Sequence, residues 1–145
     1  MVRKFQQGDL ERVAEVWLEA NIQAHSFIPG EYWEEQLEAV RAMLPQAELF
    51  VAQGGDGEIQ GFIGLNGDHV EGLFVRPPFQ SRGLGRELLD RAKTARGRLT
   101  LNVYRKNERA AAFYRREGFR VREEGVDAST GEPEYGMVWE ENGVC

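Results

Sequence analysis

Between residues 74 and 89 the chain reads FVRPPFQSRGLGRELL, which sets Gln80, Gly83 and Gly85 among Ser81, Arg82 and Arg86 where a helix should begin. The first turn of a helix leaves backbone N–H groups unpaired and carries partial positive charge. Glycines let an anion approach those amides with no Cβ in the way. Ser81, Arg82 and Arg86 add donors and charge. The chemistry implied is anion binding, with phosphate the natural anion. Two specialised readings fit less well. A dinucleotide fingerprint needs glycine or alanine where Leu88 stands, and it should open an early βαβ unit, whereas this stretch follows a run of strands. A nucleotide P-loop needs Gly-Lys-Ser/Thr, which this stretch lacks. The glycines could also serve only tight packing of the helix on a sheet, so the pair alone leaves both accounts open.

Charge gives the anion reading a wider basis. The 145 residues carry a net charge of −6. Fourteen of the 18 Lys and Arg fall between residues 76 and 122, with four acids, so that block nets +10 and the remainder −16. An acidic chain with one basic region fits a local anionic ligand better than a long polyanion, and no nucleic-acid partner is expected. Hydrophobic residues at 41% and charged residues at 29% suit one globular domain spanning 1–145. The opening MVRKFQQGDLERVAEV has no apolar run long enough for a signal peptide, and no segment approaches the roughly 20 apolar residues of a membrane span. Cys145 is the single cysteine. That forbids an intrachain disulfide or a cysteine metal cluster and points to a reducing cytoplasm; no metal is expected. A loose terminal thiol explains Cys145 better than a catalytic one.

The elements that must position the glycine turn follow from periodicity. Residues 2–6 read as a short strand. Asp9 is a plausible N-cap, and Leu10, Val13, Ala14, Trp17, Leu18 and Asn21 fall on one helical face that should fade near His25. Pro29 fits the start of a second helix, which Pro45 stops after Leu44. Residues 48–53 and 58–66 form a hairpin across GGDG, and 69–75 follows, giving three antiparallel strands in succession. From Ser81 an apolar stripe of Leu84, Leu88, Ala92 and Ala95 marks a third helix, with Gly97 just past its end. Residues 98–103 make a strand, a helix runs from Asn107 to Gly118, and FRVREEGVD and PEYGMVWEE make two last strands. The order is β-α-α-β-β-β-α-β-α-β-β, an α/β (α+β) fold with a mixed sheet of about seven strands flanked by about four helices.

With these elements laid out, two motifs carry a resemblance. FVRPPFQSRGLG resembles the acyl-CoA signature Q/R-x-x-G-x-G/A of the GCN5-related N-acetyltransferases, the GNAT family, with Gln80, Gly83 and Gly85 in place. NERAAAFYRREGF is similar to the same family's N-x-x-A-x-x-x-Y-x-x-x-G-F, matched by Asn107, Ala110, Tyr114, Gly118 and Phe119. The element order agrees, so the resemblance spans nearly the whole chain. AHSFIPGEYW and GDHVEGLFVRP look most like the small bacterial YjaB-type members.

The resemblance implies an N-acetyltransferase that uses acetyl-CoA as cosubstrate. In that fold the fourth and fifth strands splay apart around the cofactor. Leu73, Phe74 and Val75 would offer backbone groups to pantetheine amides, as an added strand would. Ser81, Arg82, Gly83, Leu84, Gly85 and Arg86 would hold the pyrophosphate, and Asn107 would bond the cofactor arm. Tyr114 would protonate the departing thiolate, since a phenol of pKa about 10 keeps its proton at neutrality. An aromatic at this place could also be half-core, with its hydroxyl at the surface. No serine-histidine-acid set is evident, so the amine should attack the thioester directly, its oxyanion met by a strand amide near Val75.

The base is where the chain departs from the family. Its fifth-strand glutamate position holds Asn102, which cannot take a proton but could orient a water or the acceptor. A second glutamate position holds His69, and histidine can serve as base near neutral pH. Glu71 shares the His69 face by the two-residue period of a strand, and His69 with Glu71, through water or directly, is the first candidate. A solvated strand-end histidine explains His69 equally well. His25, between the first two helices, is the second. For the acceptor, Phe27, Tyr32 and Trp33 with Glu31, Glu34 and Glu35 would suit a cationic amine, whether a small molecule, a protein lysine or an N-terminus, though an exposed helix accounts for most of those acids. Phe62, Ile63 and Leu65 could shape a pocket for a longer acyl chain. Tyr135, Met137 and Trp139 suit a dimer or a core strand, leaving monomer and homodimer open. A second class of function stands beside the enzyme: an acyl-CoA-binding sensor without catalysis.

Overall fold

A computed structural model describes residues 1–141; Cys145 lies outside the described residues. Seven strands form one sheet: β1 (Val2–Lys4), β2 (Glu48–Gln53), β3 (Ile59–Asn66), β4 (His69–Val75), β5 (Arg98–Tyr104), β6 (Arg120–Val126) and β7 (Pro133–Glu140). Four α-helices flank it: α1 (Leu10–Ala24), α2 (Gly30–Met43), α3 (Leu84–Ala95) and α4 (Glu108–Arg116). The spatial order is β1-β2-β3-β4-β5-β7-β6, antiparallel throughout except where β4 and β5 run parallel. The expected chain order and mixed sheet are both present.

Each face of the sheet buries its own core because the strands alternate. In β2, Phe50 and Ala52 join Leu88, Leu89 and Ala92 of α3 and Ala111 of α4. Leu49 and Val51 turn the other way, onto Val13, Ala14 and Val16 of α1. A strand covered on both sides reads as a continuous apolar run, as ELFVAQ does. Phe62, Ile63 and Leu65 lie in these cores at 2% exposure or less. None lines the cleft described below. Met137 is likewise core, at 1% exposure.

Several boundaries differ from expectation, each for a local reason. β1 stops at Lys4 because residues 7–9 wind into a 3₁₀ turn. Asp9 does not cap α1 with its side chain; its carboxylate takes Arg3 Nη1 and Nη2 at 2.9 and 3.0 Å and the Gln6 N–H at 2.8 Å. α3 begins at Leu84 rather than Ser81, since Ser81 (φ 64°) and Gly83 (φ 83°) hold left-handed backbone that a right-handed helix cannot include. α4 ends before Gly118, also left-handed at φ 98°.

Candidate active site

The sheet opens between β4 and β5. Only His69 with Thr100 and Val70 with Leu101 pair before the strands separate. One cause lies in β4. Leu65 pairs with Val70 and Gly64 with Gly72, so Glu71 is an extra residue, a β-bulge that bends the strand. The bulge also resets alternation. Val70 and Leu73 both pack into the α3–α4 core, although they stand three positions apart and strict alternation would put them on opposite faces. The two-residue period that set Glu71 beside His69 therefore does not carry across this point, and no hydrogen bond joins the two among the described residues.

Beyond the bulge, β4 keeps free backbone groups. Arg76 donates its N–H to the Gln60 carbonyl at 2.9 Å. With Phe62 opposite Phe74 and Gly61 opposite Val75, antiparallel alternation commits the Phe74 backbone to β3 and turns the N–H groups of Leu73 and Val75 toward β5. The Val75 carbonyl agrees, accepting from Gln80 Nε2 at 2.9 Å rather than from β3. Leu73 and Val75 thus have groups to offer in the gap; Phe74, contrary to expectation, has spent its own. Its ring lies across Gly72, where an added Cβ would come within 2.2 Å of it.

The glycine turn stands below this gap. Among the described residues, no acceptor pairs with the backbone N–H groups of residues 81–86, and no side chain caps α3. A Cβ on Gly83 would meet nothing within 4 Å, so glycine is required there by its positive φ and leaves open space before the amides. A Cβ on Gly85 would touch only the Phe113 ring, at 3.5 Å, an ordinary contact. Tight packing therefore does not account for the pair. Gln80 braces the turn: besides Val75 it reaches Gln23 at 3.3 Å and accepts from Arg109 at 3.1 Å. Arg109 also donates to Ser81 Oγ at 2.8 Å. Composition marked this basic block without singling out Arg109. Arg86 is exposed and pairs loosely with Glu117 at 3.7 Å, and Arg82 stacks over Phe79, 5.9 Å from its centroid. Arg82 does not line the cleft; Leu84 and Arg86 do.

The cleft holds about 1040 Å³ and runs from this turn through the β4–β5 opening. Tyr114 lines it. The Tyr114 ring is wedged 5.3 Å from Phe113 and 5.5 Å from Phe119, and its hydroxyl has no hydrogen-bond partner among the described residues. Burial raises its pKa well above the ordinary phenol value, so it holds its proton. His69 Nδ1 lies 2.8 Å from Thr100 Oγ1, leaving Nε2 without a partner among the described residues. Glu71 and Asn102 are exposed at the opening.

His25 is placed differently from its expected role. It is 8% exposed, and burial pulls its ring pKa down to about 4. Its Nε2 faces Asn107 Nδ2 at 3.2 Å. A ring with one nitrogen engaged and so low an affinity for protons is poorly suited to take one from an ammonium. Asn107 caps α4 by accepting the Ala110 N–H at 3.2 Å, so its amide keeps one donor and one lone pair free. Trp33 lines the cleft, whereas Glu31, Glu34 and Glu35 sit exposed on α2 and away from it.

Three further residues escaped the sequence. Tyr104 of β5 lies opposite Glu134 of β7 and donates to Asp127 at 2.5 Å. Both carboxylates line the cleft, and burial together with Asp127 raises the Glu134 pKa. Neither has a Lys or Arg partner within 4 Å among the described residues. Only the β5–β7–β6 pairing brings them together, and no local motif marks them.

Comparison with known proteins agrees with this fold. The family model for the acetyltransferase (GNAT) domain matches residues 45–121. The chain is 34% identical over 120 residues to the peptidyl-lysine N-acetyltransferase YjaB of Escherichia coli, covering 83% of this chain and 82% of YjaB. It superposes on the apo solution structure of YjaB with a TM-score of 0.85 and 31% identity, over 96% of each chain. It is 33% identical to the Escherichia coli peptidyl-lysine N-acetyltransferase YiaC over 141 residues, 96% of each. The PaiA N-acetyltransferase of Thermoplasma acidophilum, solved with coenzyme A, shares the fold at a TM-score of 0.79 and 22% identity, covering 97% of this chain and 98% of that one. The chain belongs to the GNAT acetyltransferase family.

Proposed function

We propose that this enzyme transfers an acetyl group from acetyl-CoA to a lysine side chain of a peptide or protein, by direct attack of the amine. The observation that carries the reading is the run of unpaired N–H groups at residues 81–86 beneath a strand whose Leu73 and Val75 amides face an open gap. These residues fit the cosubstrate. A diphosphate suits the free amides and the open side of Gly83, and a pantetheine arm can pair with Leu73 and Val75 as an added strand. Arg109 can supply the charge expected of Arg82, which stacks over Phe79 and does not line the cleft. The free donor and lone pair of Asn107 suit the cofactor arm.

Bound acetyl-CoA supplies an activated acetyl thioester. The Leu73 N–H can donate to the oxyanion that develops when the amine adds to the carbonyl, while the Leu73 carbonyl and the Val75 N–H pair with the arm. The Tyr114 hydroxyl, protonated and free of partners, can give its proton to the leaving sulfur. A lysine ammonium must first lose a proton. With His69 Nδ1–H donating to Thr100, its Nε2 lone pair is free to accept it, and Glu71 at the bulge can orient an intervening water. Asp127 and Glu134 give the acceptor end of the cleft negative charge beside the Tyr104 and Trp33 rings, which suits a cationic side chain. The names of YjaB and YiaC support lysine as that side chain.

The test is mass spectrometry of a lysine-containing peptide incubated with enzyme and acetyl-CoA. One added acetyl group on the lysine side chain supports the reading. Coenzyme A binding without transfer to any amine would instead favour a sensor.

A further inference from the structure

The contact between His25 and Asn107 joins residues 82 positions apart, and it ties the α1–α2 connection to the start of α4. Its polarity follows from the cap. Asn107 Oδ1 is committed to the Ala110 N–H, so the end of the amide that faces His25 is Nδ2, a donor. His25 Nε2 must then accept, which puts the ring proton on Nδ1. That nitrogen is buried with no partner among the described residues. Shape holds the ring: Tyr104, Trp33 and Phe27 surround it with centroids at 5.0, 5.4 and 5.7 Å. A phenyl ring would fill this space as well. What histidine adds is one lone pair, aimed at one amide.

We propose that His25 is a positioning residue for catalysis: its Nε2 fixes the Asn107 side chain and, through the cap, the start of α4, the helix that carries Tyr114. Tyr114 stands seven residues, about two helical turns, after Asn107. A shift at the cap is therefore felt at the phenol. The inference rests on the acetyl-transfer reading above, in which Tyr114 protonates the leaving sulfur.

Three measurements test it. In the two-bond proton–nitrogen spectrum of the full chain, His25 should show the Nδ1–H tautomer; an Nε2–H tautomer would overturn the inference without any variant. His25→Phe keeps the aromatic volume and removes the acceptor, whereas the Gln of His25→Gln can present its Oε1 where Nε2 stood. His25→Phe should lower kcat about tenfold and leave KM for the lysine peptide within about twofold, and His25→Gln should recover most of that loss. Equal losses in the two variants, or unchanged kcat with only a lower Tm, would mean that the ring merely fills space. In a double-mutant cycle, His25→Phe should add less than about twofold to the effect of Asn107→Ser, which retains a capping oxygen; additive losses contradict the coupling. If the wild-type chain transfers no acetyl group, the functional reading fails, while the tautomer still decides the contact.

Discussion

Glu71 and Asn102 immediately follow Val70 and Leu101, the last paired residues of β4 and β5, so they flank the point at which the strands part. His69 sits on the closed side of that point, its Nδ1 held by Thr100. This arrangement gives the two base candidates different tasks. His69→Gln should lower kcat/KM about 100-fold and flatten the acidic limb of the pH–rate profile. Glu71→Gln should cost less than about tenfold and leave that limb in place. Profiles of the two variants with a lysine peptide make the comparison, and the reverse pattern would give the proton to Glu71.

The two glycines of the turn separate by their backbone. Gly83→Ala forces a side chain into left-handed geometry, which costs about 1–2 kcal/mol, and it sets a methyl group in the open space before the amides. Unfolding by urea should show that loss, and calorimetry should show coenzyme A affinity down by about tenfold or more, each tenfold being about 1.4 kcal/mol. Gly85→Ala meets only the Phe113 ring and gains helix propensity of up to about 1 kcal/mol. It should be at least as stable as wild type and bind coenzyme A nearly as well. Equal damage at both positions would mean that the turn is built for packing.

Tyr114→Phe removes a hydroxyl that holds no partner within the protein but keeps the ring between Phe113 and Phe119. Stability should change by less than about 1 kcal/mol. The kcat should fall about 100-fold with little change in KM for acetyl-CoA, the size of a lost general acid. Thiol release followed in steady state, alongside thermal unfolding, separates these effects. Full activity in the variant would remove Tyr114 from the chemistry.

Stability should depend on pH through His25. Its folded pKa near 4 lies below the ordinary 6.5, mainly because of burial. Between these values the unfolded chain binds more protons than the folded one, so stability rises with pH. The contribution is complete above about pH 6.5 and is lost as pH falls toward 4, with an upper bound of about 3 kcal/mol. Lys106 over the Phe27 ring and Asp127 on the Tyr104 hydroxyl are charged groups set against the rings that enclose His25. Urea unfolding of wild type and His25→Phe at about pH 4.5 and 7.5 should show the gap between them change with pH. A constant gap would contradict the burial argument.

Much of this was legible because the signals are local. ELFVAQ and the α3 stripe declare their elements by periodicity, and Asn107 and Gly118 mark the ends of α4. The turn at Gly83 was legible because glycine there has a steric reason, a positive φ. The bulge was not, since one inserted residue shifts the register of β4 without any mark in its composition. It left Glu71 without a partner in β3, so the two-residue period alone does not set its face. Phe74 looked equivalent to its neighbours until the pairing with β3 showed which strand residues still had amides to offer. The contacts of His25 with Asn107, and of Tyr104 with Asp127 and Glu134, are made only when distant elements pack. Such contacts leave no trace at either end of the sequence.

The central claim is that free main-chain amides hold the cosubstrate, and amide chemical shifts report it directly. Titrating coenzyme A into ¹⁵N-labelled full-length protein should move the amide signals of Arg82 to Arg86, with those of Leu73 and Val75 following in the same saturation curve. Saturation with those seven signals unmoved, or shifts confined to other parts of the sheet, would contradict it.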